Sequence, residues 1–140
     1  MVSVTASVAW WARTQPEHLA LVYGHQRLTY ADLQQRVVHA ATMLQAHGVG
    51  VGDVVALLMK NSAAFLELSL AIAHVGAVLL PVNYRLGVEE VGYIAGHAGA
   101  KRFCGLASPC GGTRRIPLRG DGRVRPELRP MATVPPSPRR

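Results

Sequence analysis

Six histidines, two cysteines, two glycine-rich stretches and one arginine after an apolar run are the residues of this 140-residue chain that could carry chemistry. The histidines (His18, His25, His39, His47, His74 and His97) show no H-x-x-x-H or comparable ligand spacing, so they read as surface or helix-packing residues. Cys104 and Cys110 lie in Gly/Pro-rich text with no second Cys/His pair nearby. A structural zinc needs about four ligands, so neither a zinc ribbon nor a disulfide framework is indicated, and no metal site is expected. The stretch GVGVGD, from Gly48 to Asp53, has the glycines of a phosphate loop but the wrong surroundings. Phosphate cradles run from a strand into a helix N-terminus, whose N–H groups and dipole hold the anion. Here the order is helix, glycines, strand, which makes a turn. The second stretch, CGGTRR, from Cys110 to Arg115, has no lysine, strand or helix beside it, and no G-x-S-x-G elbow offers a hydrolase nucleophile. That leaves Arg85, which follows the apolar run AVLLPV at the end where parallel α/β sheets bind ligands.

The elements that would position these residues follow from periodicity. VSVTASVAWWART forms a short helix closed by Pro16, with Trp10 and Trp11 as packing residues. HLALVYGHQRLTY reads as two short strands around GHQ, with Val22, Tyr23 and Leu28 facing inward. Thr29 is an N-cap with Asp32 three positions on, and Leu33, Val37, Ala40, Ala41 and Leu44 then fall on one face of a 3.6-residue period that Gly48 closes. VVALLM, from Val54 to Met59, is a continuous apolar run, as expected of a strand covered on both faces of a parallel sheet. Ser62 caps a helix ending near Gly76, and AVLLPV is a second buried strand, so the three form a βαβ unit with a right-handed crossover. Glu89 and Glu90 open another helix. The pattern then demands a third parallel strand after GAK, where the text offers RFCGLASPCGG, a weak run that stops in Pro and Gly.

Composition divides the chain at the same place. Residues 1–101 hold six Lys/Arg and six Asp/Glu and are neutral, whereas residues 102–140 hold nine Arg against Asp121 and Glu127, which accounts for the whole net charge of +7. Arg, Pro and Gly make up 21 of those 39 residues, and all three are encoded largely by GC-rich codons. An out-of-frame reading of a GC-rich gene would produce such a tail, so residues 102–140 are expected to be a disordered, unrelated sequence. The tail could neutralise phosphates, but no aromatic residue follows Phe103 to stack bases, and no specific nucleic-acid partner is expected. Glu67, His74, Gly76 and Pro81 interrupt the apolar stretch from Ala63 to Val82, so no membrane span is expected. The N-terminus lacks the basic segment of a secretory signal, and a cytoplasmic location follows as the expectation.

LTYADL (Leu28 to Leu33), GVGVGDVVALLMKNS (Gly48 to Ser62) and LAIAHVGAVLLPVNYRLGVEEVGYIAGHAGAK (Leu70 to Lys101), in this order, resemble the N-terminal part of AMP-forming acyl-CoA synthetases, members of the adenylate-forming enzymes. The wording PVNYRL is most similar to the fatty-acyl or medium-chain branch. The resemblance implies an α/β fold in which residues 1–101 form a partial parallel-sheet subdomain. For a complete enzyme it implies ATP, Mg2+ and CoA, with a carboxylate activated to an acyl-adenylate and then transferred to the thiol. The family's Ser/Thr/Gly-rich phosphate loop, nucleotide contacts, catalytic lysine and acyl pocket lie beyond the resembling stretch, so no catalytic residue is assigned and the chain alone is expected to bind no cofactor and be inactive. The resemblance places Arg85 near the CoA nucleotide, with a solvated arginine or a domain-contact ion pair as the alternative. The missing strands would leave an open sheet, which makes self-association or docking on a full-length synthetase the expected partnership, and a non-catalytic interaction module the competing reading.

Overall fold

The computed structural model describes residues 4–105 and 114–115. In chain order its elements are α1 (Val4–Thr14), β1 (Leu19–Tyr23), β2 (Gln26–Thr29), α2 (Tyr30–Ala46), β3 (Val54–Leu58), α3 (Ala63–Val75), β4 (Val78–Pro81), α4 (Val88–His97), β5 (Arg102–Gly105) and β6 (Arg114–Arg115). Strands β4, β3 and β5 are parallel neighbours in that order, and β6 adds antiparallel to β5. A separate antiparallel pair, β1 and β2, lies in front of α2.

The central strand explains the layering. Val55 and Leu57 point to one face of the sheet and Ala56 to the other, and all three are fully buried. On the first face they meet Ala41 and Leu44 of α2, Ala71, Ile72 and Val75 of α3, and Cys104 of β5. On the second face Ala56 packs with Val91 and Ala95 of α4, joined by the half-buried Leu80 and Phe103. The continuous apolar run of β3 is therefore what a strand covered on both sides requires. Leu33 and Val37 of α2 turn to a third cluster with Leu70, against which Val8 of α1 and Ala20 of β1 pack.

The helix ends show why the strands begin where they do. At the end of α2 the N–H of Gly48 donates to Gln45 O (2.8 Å) and that of Val49 to Leu44 O (3.0 Å). Gly48 takes a φ of 77°, and Val49 is buried with Leu44 in the same cluster. This is the Schellman arrangement, in which a left-handed residue just past the cap satisfies the last carbonyls. The cap itself is His47, so the glycine sits one place later than the cap position read from sequence. At Gly76 (φ 81°) the same two bonds run to Ala73 and Ile72, and after α4 they run to Gly96 and Ala95. The same cap thus turns α3 into β4 and α4 into β5 within a few residues, while after α2 the further turn Gly50–Asp53 precedes β3.

Two sequence expectations need correction. Val22 and Tyr23 do not face inward: they are 49% and 50% exposed, while Leu28 is buried as expected. Their partners across the hairpin are Arg27 and Gln26, at the turn end, and the residue of β1 that packs on the helices is Ala20. The second concerns the division at residue 101. The third parallel strand does form, immediately past it, with Arg102, Phe103 and Cys104 in register beside Val55, Ala56 and Leu57. Phe103 and Cys104 alternate between the two apolar faces, and the Arg102 guanidinium donates through Nε (3.0 Å) and Nη2 (2.8 Å) to His47 O at the end of α2. A cation on a helix's last carbonyls is favoured by the dipole, so Arg102 helps to hold β5 in place. The stretch is weak in apolar residues but strong in register. Cys110 and the remainder of the tail, except β6, lie outside the described residues.

Candidate functional site

The carboxyl ends of β3 and β4 meet at the register pair Leu57–Pro81, and the N–H of Val82 donates to Leu57 O at 3.0 Å. Beyond that pair the two chains diverge, one through Lys60 to the N-cap of α3, the other through Asn83, Tyr84 and Arg85 toward α4. Ser62 Oγ accepts from Phe65 N (3.2 Å) and starts α3, so Lys60 stands just before the positive end of a 13-residue helix. Asn83 Oδ1 accepts from Arg85 N (3.0 Å), and Asn83 O from Leu86 N (3.2 Å), which turns the chain and fixes the direction of Tyr84 and Arg85.

The two strands thus deliver two cations to one aromatic ring. Lys60 Nζ is 5.5 Å from the centroid of Tyr84 and Arg85 Cζ is 5.6 Å from it. Arg85 Nε also donates to Tyr84 Oη at 3.3 Å. All three residues are exposed. A cation over an exposed ring is worth about 0.5–1 kcal/mol, enough to bias side-chain positions but not to fix them. Among the described residues, neither cation has a carboxylate within ion-pair distance. Arg85 therefore stands where its sequence position indicated, at the carboxyl end of a parallel strand. Lys60 and Tyr84 were not legible as its companions, because only the parallel pairing of β3 with β4 brings residues 24 positions apart together.

The other chemistry-bearing residues are spent on structure. Asp53 is paired with Lys101 at the amino end of the sheet and accepts the Gly50 N–H at 3.0 Å, and this lysine and amide hold its carboxyl below the usual range. GVGVGD is accordingly a turn stapled by its own aspartate. Asp32 accepts from the Thr29 N–H (3.0 Å) while Thr29 Oγ1 accepts from the Asp32 N–H (3.2 Å), a reciprocal cap that lowers the Asp32 pKa. Burial pushes the Cys104 thiol up to about 11, so it is protonated and unreactive at neutral pH. His47 Nδ1 is 2.7 Å from Met43 O, and His18 and His97 stack on Tyr30 and Tyr93. Among the described residues no three His, Cys, Asp or Glu side chains gather where a metal ion could be held. With Asp32 engaged in its cap and Asp53 in its ion pair, the described residues do not fit a Mg2+ site. No described helix is long and apolar enough to cross a membrane.

Comparison with known proteins places this arrangement. The sequence profile of the AMP-binding enzyme family matches residues 8–125. Feruloyl-CoA synthase from a Streptomyces species is 44% identical over 89 residues, a segment covering 64% of this chain and 18% of that enzyme. The long-chain-fatty-acid–CoA ligase FadD13 of Mycobacterium tuberculosis is 43% identical over 75 residues, 54% of this chain and 15% of the ligase. Among solved structures, the N-terminal domain of FACL13 from Mycobacterium tuberculosis superposes with a TM-score of 0.71 at 34% identity, over 75% of this chain and 27% of that domain. The NpsA N-terminal subdomain of Klebsiella oxytoca, in complex with 3-hydroxybenzoyl-AMSN, gives 0.72 at 26% identity, over 80% and 29%. This chain therefore spans less than a fifth of those two CoA-ligase relatives. With its parallel sheet, its capped βαβ unit and its ordered match to these proteins, the chain belongs to the AMP-binding enzyme family, within which its relatives include acyl-CoA and feruloyl-CoA synthetases.

Proposed function

We propose that this chain is the amino-terminal scaffold of a fatty-acyl or medium-chain acyl-CoA ligase, and that it performs no adenylation by itself. The carrying observation is the ordered match to ligases that form CoA thioesters, extending over the βαβ unit and its flanking helices. The complete reaction needs ATP with Mg2+, a triphosphate loop, an acyl pocket and a cation at the acyl carbon where charge develops. The sequence offers no Ser/Thr/Gly-rich loop carrying a lysine. In the complete enzyme Arg85 contacts the nucleotide end of CoA, a reading supported by its exposure and its place after β4. The Arg- and Pro-rich text beyond the family match, residues 126–140, is read as the product of a shifted reading frame, a reading supported by its composition.

A chimera tests this directly. Residues 1–105 replace the matching segment of the Streptomyces feruloyl-CoA synthase, and thioester formation is measured. An active chimera is expected, with Arg85→Ala raising its KM for CoA about tenfold while kcat changes little. A well-folded but inactive chimera contradicts the scaffold reading, and an unchanged KM contradicts the role of Arg85.

A second reading rests on β4, whose outer edge is unpaired among the described residues and whose Val78 is 51% exposed. An interaction module would dock a partner strand there. Concentration-dependent association that β4 edge substitutions abolish would favour it.

A further inference from the structure

We propose that residues 116–125, the basic segment that follows β6, dock along the exposed outer face of α4 and are held there by Glu89, Glu90 and Tyr93.

The outer face of α4 is acidic and aromatic. Glu89, Tyr93 and His97 recur every four residues, so they form one exposed stripe opposite the buried Val91 and Ala95, with Glu90 beside it. Tyr93 is 73% exposed, more than any other aromatic side chain among the described residues, and it stacks on His97 with ring centroids 5.9 Å apart. Neither glutamate has a cation within ion-pair distance among the described residues. Glu90 spends one oxygen on the Gly87 N–H (2.8 Å), and Arg85, just before the helix, leans on Tyr84 instead.

The occupant follows from where the described chain ends. Arg115 pairs with Arg102, so β6 runs antiparallel to β5 and ends beside the loop that carries α4 into the sheet. That register leaves Arg115 one strand spacing, about 4.8 Å, from a residue that closely follows His97. The next residues, IPLRGDGRVR from Ile116 to Arg125, carry Arg119, Arg123 and Arg125 against Asp121, opposite in sign to the stripe. They also fall within the family match, which runs to residue 125. Ten extended residues span up to about 33 Å and a ten-residue helix is about 15 Å long, so the segment can run back along the whole of α4. On that path Arg119 meets the face of Tyr93, and Arg123 and Arg125 meet Glu89 and Glu90. The carboxyl end of α4, passed first, attracts the same positive charge. Each such exposed contact is weak alone, and tethering at β6 lets several act together.

The test is paramagnetic broadening in the full 140-residue chain carrying Cys110→Ser and Val124→Cys, with a nitroxide on the new thiol; Cys104 is buried and stays unlabelled. Broadening of amide signals centred on Glu89, Glu90 and Tyr93 is expected, weakening at about 0.5 M salt. Glu89→Arg and Arg123→Glu should each remove most of it, and the two together should restore it, which loss of fold in either variant would not do. Broadening centred elsewhere, on Trp10 and Trp11 or on the β4 edge, overturns the proposal, as does its absence. Full broadening retained in both single variants overturns it as well. A mixture of isotope-labelled chains without the nitroxide and unlabelled chains with it should show none; broadening there assigns the contact to a second copy and overturns docking within one chain.

Discussion

Glu67 of α3 is the only buried charged residue among those described, at 5% exposure, and it faces Arg36 of α2 at 3.0 Å. Glu67 Oε1 accepts no hydrogen bond of good geometry, so Coulomb attraction holds the pair. Arg36→Ala would strand a carboxylate between two helices, a change that costs about 3–5 kcal/mol in a dry interior. The Arg36 side chain is 42% exposed, and solvent screening reduces the expected loss to about 1–2 kcal/mol. Urea unfolding should show that loss, and the double change Arg36→Met with Glu67→Leu should recover most of it. Asp53 gives a pH signature. Its folded pKa lies below the ordinary value of 3.8, so its contribution is complete above that value and disappears as pH falls through the lowered folded one. Thermal unfolding should be steady from neutrality to about pH 5 and then weaken below about pH 4, and Asp53→Asn should flatten that acid limb. The Thr29–Asp32 cap was readable in sequence because its partners are three residues apart. Arg36–Glu67 and Lys60–Tyr84 were not, since each depends on how separate elements pack.

Among elements, the strongest sequence signals were those with both a period and a punctuation. The apolar face of α2, the run of β3 and the Ser62 cap of α3 all appear as read. Hairpin faces were less legible, because a two-stranded ribbon packs only where helices reach it, and those helices miss Val22 and Tyr23. Strand β5 was the hardest to see: four residues with one arginine and one glycine lack an apolar signature, and their place comes from pairing with β3. Two consequences can be measured by denaturant unfolding. Gly76→Ala should destabilise by about 1–2 kcal/mol, chiefly from left-handed backbone, since the crowding Val51 methyl (3.2 Å) belongs to an exposed side chain that can turn away. A chain ending at Lys101 should be far less stable than one ending at Ile116, because removing β5 leaves β3 unpaired on one side and opens both apolar faces beside Phe103 and Cys104. Equal stability of the two would show that the fold does end at Lys101.

At the scale of the whole molecule, the described residues are proposed as a scaffold, with exposed cations at the carboxyl ends of β3 and β4. Asp32 and Glu90 serve caps, Asp53 and Glu67 serve ion pairs, the Cys104 thiol is buried, and Gly48, Gly76 and Gly99 end helices. No Ser/Thr/Gly-rich loop carrying a lysine is written in the 140 residues. Translating the other two frames of the gene beyond codon 105 should reveal an apolar strand followed by a Ser/Thr/Gly-rich loop with a lysine. The most direct test of the protein itself is carboxylate-dependent ATP–pyrophosphate exchange by the purified, folded chain, with ferulate and a medium-chain fatty acid as substrates. Exchange no faster than in protein-free buffer is the expected result. Exchange that depends on both the carboxylate and the chain would contradict the claim that this protein is a scaffold without catalysis.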